Sequence, residues 1–292
     1  MDQIDMVKDS DSPQGGRSGI SVFRYHRGTQ DLPAVIRHGR PRDPFAGALM
    51  PRTDPARRWE QLTAIQPDPQ HLERHRLLPT GHEGPAATRF DMLRTRILQT
   101  MEERQWTRLA VTSPTRGCGK SMVAANLALA LARLPQVHTV LVDLELRHPG
   151  LADLLGVADP GALRDYLTDD QPLESHFLRI GANLALGLNG TPVPDAAALL
   201  QASDTREALE AMQEALEPDI VIYDLPPALA GDDVIGFLPA VDCVLLVADG
   251  TRTRAEDITA CTRLLEGRTP VLGVVLNRAE EPGQARYRYD AR

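Results

Sequence analysis

Leu109-Ala110-Val111-Thr112-Ser113-Pro114-Thr115-Arg116-Gly117-Cys118-Gly119-Lys120-Ser121-Met122 is the stretch that decides the fold of this chain. A short apolar strand runs into a loop with two glycines that ends in Gly-Lys-Ser, and an Ala/Leu-rich helical stretch follows, Ser121 to Ala132. Strand, glycine loop and helix in that order are the parts of a phosphate-binding loop. Consecutive backbone amides and the helix N-terminus form a concave nest for phosphate oxygens. Gly117 and Gly119 let the backbone curl close to them. Lys120 supplies a compact positive charge to the β- and γ-oxygens of a nucleotide, and Ser121 a hydroxyl to Mg²⁺. Residues Thr115, Arg116, Gly117, Cys118, Gly119, Lys120, Ser121 and Met122 are therefore the candidate nucleotide contacts. Pro114 stands where the strict spacing has its first glycine.

The composition agrees. Of 32 basic residues in the 292, only Lys8 and Lys120 are lysines. A chain that otherwise uses arginine has kept one lysine in its middle, where a point charge fits better than a planar guanidinium. The net charge of -8 argues against a nucleic-acid binder, which needs clustered positive charge. No apolar run approaches the roughly 18 to 20 residues of a membrane span. Three widely spaced cysteines, Cys118, Cys243 and Cys261, fit reduced thiols and a cytoplasmic setting better than disulfides or a zinc site.

Outward from the loop, Phe90, Leu93, Ile97, Leu98 and Met101 share one helical face. Further strand-like runs follow at 139–142, 184–188, 220–223, 244–248 and 271–276, with helical stretches between most of them. That alternation predicts a mostly parallel sheet covered by helices on both faces. Residues 1–85 hold ten of the 23 prolines and no sustained hydrophobic period, which reads as a flexible leader. The expected organisation is thus a leader over 1–85, one domain over 86–280 and a flexible tail over 281–292. Asp143 and Asp224 each end an apolar strand, where ligands gather in an open α/β sheet and carboxylates can hold Mg²⁺.

These motifs resemble the bacterial tyrosine kinases of capsular and exopolysaccharide synthesis, a branch of the P-loop ATPases. The likeness spans about residues 86–280. It rests on 112–115 before Gly119-Lys120-Ser121, on Val142-Asp143-Leu144-Glu145-Leu146-Arg147-His148-Pro149, on Asp224-Leu225-Pro226-Pro227 and on Leu272-Gly273-Val274-Val275-Leu276-Asn277-Arg278. In that family a proline at the position of Pro114 is common. The resemblance implies a three-layer P-loop NTPase fold, ATP and Mg²⁺ as cofactors, and phosphoryl transfer to tyrosine. It implies that Asp143 lies beside the metal and accepts the substrate hydroxyl's proton, that Asp224 is the main metal-holding carboxylate, and that Asn277 lies near the adenine.

Glu145 stands where the family has a second Asp, and Leu225 where it has Ser or Thr; a metal role for Glu145 is left open. Thr88, Asp91 and Arg94 occupy the family's ring-assembly positions and only the arginine is kept, so a homo-oligomer is not carried over and stays open. The family's C-terminal tyrosine cluster reduces to Tyr287 and Tyr289, which are either autophosphorylation sites or a solvated end. The implied activator is a separate membrane chain-length protein, or polysaccharide co-polymerase, at the inner face of the membrane. Two other readings stand beside the kinase: a partition or septum-type ATPase, whose signature lysine would fall at Thr115, and a nucleotide-binding adaptor with little catalysis.

Overall fold

The computed structural model describes residues 18–23, 54–79 and 81–280. The apolar runs become strands whose successive side chains enter two different cores. Leu109 and Val111 face one side and Ala110 the other; Leu141 opposes Val140 and Val142; Ile220 and Ile222 oppose Val221 and Tyr223. Such strands need cover on both faces, and they have it.

Nine strands form one sheet: β1 (Ser18–Phe23), β2 (Thr63–Ile65), β3 (Arg108–Thr112), β4 (Thr139–Asp143), β5 (Leu178–Ile180), β6 (Leu184–Gly187), β7 (Ile220–Asp224), β8 (Cys243–Asp249) and β9 (Val271–Glu280). Their order is β1-β9-β8-β3-β7-β4-β6-β5-β2. Neighbours run parallel except β1 with β9 and β5 with β6. The expected mostly parallel three-layer architecture is what the chain adopts.

The helices are α1 (Pro55–Gln61), α2 (Pro69–Arg74), α3 (Pro85–Arg104), α4 (Lys120–Ala132), α5 (Leu151–Leu155), α6 (Leu163–Leu167), α7 (Leu173–His176), α8 (Ala196–Gln201), α9 (Ser203–Leu216), α10 (Asp233–Phe237) and α11 (Ala255–Leu265). Residues of α2 to α5 share one core, and residues of α1 and of α6 and α8 to α11 share the other. Helix α4 is apolar nearly all round and is buried from Val123 to Leu131, as such a helix must be.

The leader expected over 1–85 is corrected by the structure. Residues 18–23 pair antiparallel with β9, and 54–79 fold onto the domain. Asp54 and Asp68 accept hydrogen bonds from Ala56 and Gln70 at the starts of α1 and α2, each with proline in the first turn. Trp59 is buried and donates its Nε1–H to the Leu216 carbonyl at 2.9 Å. On the other face Asn126 of α4 accepts from the Leu78 amide at 2.9 Å and donates to the Arg76 carbonyl at 3.0 Å. These elements are too short to show a period, and single anchors hold them: Trp59, Leu62, Leu72 and Leu77. The remaining residues of 1–53 lie outside the described residues.

Candidate functional site

The loop of residues 113–119 sits at the carboxyl end of β3, and Lys120 opens α4. Gly117 and Gly119 have φ of 81° and 88°, in the left-handed region that favours glycine. A Cβ at Gly119 would also lie 2.3 Å from Nδ2 of Asn277. Two side chains at the end of β9 hold the back of the loop. Asn277 Nδ2 donates to the Cys118 carbonyl at 2.9 Å, and Arg278 Nη1 donates to the Gly117 carbonyl at 2.9 Å. In a trans peptide the C=O and N–H point in opposite directions. Anchoring these two carbonyls therefore turns the amides of Cys118 and Gly119 toward the concave side, where phosphate oxygens would sit.

Arg278 adopts φ of 57° and donates to Oδ2 of Asp249 at 2.6 Å. Asp249 is buried and also accepts from the amide and hydroxyl of Thr251 at 2.9 and 2.7 Å. Burial alone would raise its pKa, but the Thr251 and Arg278 hydrogen bonds hold it below the ordinary carboxylate value. Sequence reasoning gave Arg278 and Asp249 no role. The available signal was Asp249 itself, a carboxylate ending an apolar strand like Asp143 and Asp224.

The acids converge next to Lys120. Asp143 and Asp224 end β4 and β7 and pair in register. The Lys120 ammonium lies 3.2 Å from Oε2 of Glu145, 3.5 Å from Oδ1 of Asp224 and 3.2 Å from Oγ of Ser121. Burial works to lower the Lys120 pKa, yet the charges of Asp224 and Glu145 raise it above the usual value, so the ammonium stays protonated. Burial raises the Asp224 pKa against the pull of Lys120. Burial, and then the charge of Asp224, push Asp143 up to about 8.

The two aspartates differ in what their oxygens do. Asp143 accepts from the amides of Glu145, Gly150 and Leu151 at 3.2, 3.3 and 3.2 Å. Oδ2 of Asp224 is buried with no hydrogen-bond partner among the described residues. An orphaned carboxylate oxygen in a buried, negative site fits a divalent cation. Among the described residues no three His, Cys, Asp or Glu side chains form a metal cage. That donor set suits Mg²⁺, which takes one or two carboxylates and completes its shell with water and phosphate oxygens.

The other candidates fall as follows. Thr115 and Arg116 are exposed on the loop, and Cys118 is buried with its Sγ 3.6 Å from the hydroxyls of Thr115 and Thr253. Ser121 and Met122 are half-buried. Asn277 is buried behind the loop, bonded to its backbone. Arg147 braces three segments: its guanidinium pairs with Asp233 at 3.1 Å and donates to the Pro194 carbonyl. Arg94 is engaged within the chain, donating to the Ala130 carbonyl at 2.9 Å and pairing with Asp91 at 3.0 Å. Tyr287 and Tyr289 lie outside the described residues.

Comparison with known proteins follows the same lines. The ParA family profile, described as NUBPL iron-transfer P-loop NTPase, matches residues 105–282. The tyrosine-protein kinase YwqD of Bacillus subtilis is 26% identical over 220 residues, covering 75% of this chain and 92% of its own length. The tyrosine-protein kinase etk of Escherichia coli K12 is 29% identical over 201 residues, covering 68% of this chain but only 27% of that protein. The solved kinase domain of Escherichia coli ETK superposes with a TM-score of 0.61 at 24% identity, over 76% of this chain and 97% of that one, a likeness of fold. The chain belongs to the ParA family of P-loop NTPases, and these curated relatives are bacterial tyrosine-protein kinases.

Proposed function

We propose that the chain is an ATP-dependent protein tyrosine kinase. One juxtaposition carries the proposal: the outward-turned loop amides, Lys120 and the open oxygen of Asp224 lie beside Asp143. The relatives named as tyrosine kinases give this phosphate site its reaction. Mg·ATP would supply the transferable phosphoryl group and the divalent charge. Asp224, through Oδ2, and the Ser121 hydroxyl would hold the metal. The amides of Cys118 and Gly119 bind phosphate oxygens, and Lys120 exchanges Glu145 for them and stabilises charge on the transferring group.

A free phenol has a pKa of about 10 and must lose its proton as it attacks. Asp143, in its ionised form, would be the carboxylate that takes that proton. Its three backbone amide donors fix its orientation. Asn277 acts from behind the loop in this arrangement, and the adenine-side role implied by resemblance remains part of the proposal. Tyr287 and Tyr289 are the proposed autophosphorylation sites. Regulation of capsular or exopolysaccharide polymerisation through a membrane activator extends the reading. Among the described residues no helix is long and apolar enough to cross a membrane.

The partition-type ATPase is disfavoured by Thr115 at its signature lysine position. Incubation with γ-labelled ATP and phosphoamino-acid analysis separates the readings. Phosphotyrosine supports the kinase, free phosphate alone the ATPase, and binding without turnover the adaptor. Lys120→Met should cost about 3 to 4 kcal/mol of transition-state stabilisation, roughly a 10²- to 10³-fold loss. Transfer by that variant at the wild-type rate would refute the site. Loss of label in Tyr287→Phe/Tyr289→Phe would place autophosphorylation in the tail.

A further inference from the structure

Asn277 and Arg278 follow one another in β9, yet both donate to the same loop, to the Cys118 and Gly117 carbonyls. In a regular strand successive side chains point to opposite faces, so neighbours do not ordinarily reach one loop. β9 is irregular at this point. Its ladder with β1 runs Phe23↔Val274, Val22↔Val275 and Ser21↔Leu276, then resumes at Gly19↔Ala279 and Ser18↔Glu280. Asn277 and Arg278 thus stand opposite the single residue Ile20, two against one, which is a β-bulge. Bulges re-aim side chains, and this one turns both donors onto the phosphate loop.

The bulge is held from two sides. On the β8 side the Gly250 amide donates to the Asn277 carbonyl at 2.7 Å, and a Cβ on Gly250 would lie 2.9 Å from Cα of Ala279. Within the bulge the Arg278 amide donates to Oδ1 of Asn277 at 3.0 Å, and Arg278 takes φ of 57°. On the outer side, among the described residues, β1 is the last strand of the sheet, and its pairs flank the bulge directly. Ladder pairs at Leu276 and Ala279 fix the two ends of the irregular stretch. With that ladder gone, no strand on the outer edge opposes relaxation of Arg278 out of its left-handed conformation.

We infer that residues 18–23 are an intramolecular strap that sets nucleotide affinity: paired on β9, they keep the Asn277–Arg278 bulge in the shape that clamps the Gly117 and Cys118 carbonyls. The inference rests on the reading of 113–121 as a nucleotide site and needs no phosphoryl transfer. The strap acts on the phosphate nest through the backbone of β9. Whatever draws it off β9 lowers nucleotide affinity, and bound nucleotide tightens the strap by the same factor, because such coupling is reciprocal.

The test uses the full chain and the variant Ser21→Pro/Val22→Pro. Successive N–H groups of a strand face opposite edges, so one of the two prolines must strip a donor from the β9 ladder. By titration calorimetry this variant should bind a non-hydrolysable ATP analogue with Mg²⁺ about 5- to 10-fold more weakly, a coupling at the low end of the usual range. Ser21→Thr/Val22→Thr keeps both amides and the strand propensity, and should bind as the wild type does. Hydrogen exchange on the wild type gives a second reading: the same ligand should slow amide exchange in residues 18–23 by about the same factor. Wild-type affinity in the proline variant, equal weakening in the threonine variant, or no slowing of exchange in 18–23 would each overturn the strap. A wild-type chain that binds no nucleotide would overturn the site reading, and the strap's effect with it.

Discussion

Replacing Arg278 should weaken nucleotide binding although its guanidinium is assigned no contact with the nucleotide. Arg278 holds the Gly117 carbonyl at 2.9 Å and the buried Asp249 carboxylate at 2.6 Å. A hydrogen bond from a charged donor contributes about 1.5 to 3 kcal/mol. The arginine side chain is 37% exposed, which argues for the lower end. About 1.5 kcal/mol spent re-ordering the loop is close to a tenfold increase in Kd for Mg·nucleotide. Arg278→Ala should also melt about 3 to 6 °C lower, from about 1 to 2 kcal/mol in a domain of this size. The backbone separates the two effects. A non-glycine residue at φ of 57° carries a left-handed cost of about 1 to 2 kcal/mol, which Arg278→Gly removes. The glycine variant should therefore melt near the wild type and still bind nucleotide about tenfold more weakly. Titration calorimetry with a non-hydrolysable nucleotide and Mg²⁺ measures this directly. Wild-type affinity in Arg278→Gly would refute the claim that the carbonyl clamp orients the loop amides.

Three further outcomes follow from other contacts. Asn126→Ala strips partners from the Leu78 amide and the Arg76 carbonyl, at about 2 to 4 kcal/mol; limited proteolysis should then cut within 54–79 before the domain, and an unchanged cleavage order would count against the latch. The Asp143 carboxyl is raised to about 8, so between its unfolded value of about 4 and that pH the folded state binds the extra proton. Its stabilisation is complete below the lower value and is lost as pH rises through the upper one. The nucleotide-free protein should therefore melt higher at about pH 6 than at about pH 9, and Asp143→Asn should flatten that slope; an equal slope in the variant would remove Asp143 as its source. Gly119→Ala places a Cβ 2.3 Å from Asn277 Nδ2 at φ of 88°, so equilibrium titration should show nucleotide binding lost or severely weakened, and retention would mean the loop has another geometry.

What the sequence makes legible follows from burial. β3, β4, β7 and β8 are covered on both faces and therefore read as continuous apolar runs; the loop reads from the residues that phosphate chemistry requires. β2 and β5 have three residues each, too few for any period, and β1 gains its place only by pairing with β9, far along the chain. The folded segment 54–79 announces itself only through Asp54-Pro55 and Asp68-Pro69, two helix starts that a count of prolines turns into a leader. The site shows the same division. Lys120, Asp143 and Asp224 are visible because strand ends are visible. The Arg278–Asp249 and Arg147–Asp233 pairs join residues 29 and 86 positions apart, and only the fold brings them together.

Glu145 shows why a departure from a family pattern has to be read in three dimensions. Beside an aspartate, the extra methylene carries its carboxylate outward, and here that reach ends 3.2 Å from the Lys120 ammonium. Lys120 is thus shared between Glu145 and Asp224, and phosphate oxygens would compete with a carboxylate for it. Three carboxylates, those of Asp143, Glu145 and Asp224, face this one ammonium in a largely buried site. Burial first, and then the charge of a neighbouring carboxylate, push both aspartates upward. A divalent cation on Asp224 would balance the negative charge, and Lys120 would then be drawn less strongly to the acids and more to the phosphates. On the proposed kinase reading, the same residues that repel an anionic nucleotide without metal would accept it with metal, so the acidic site would make Mg²⁺ a condition of binding.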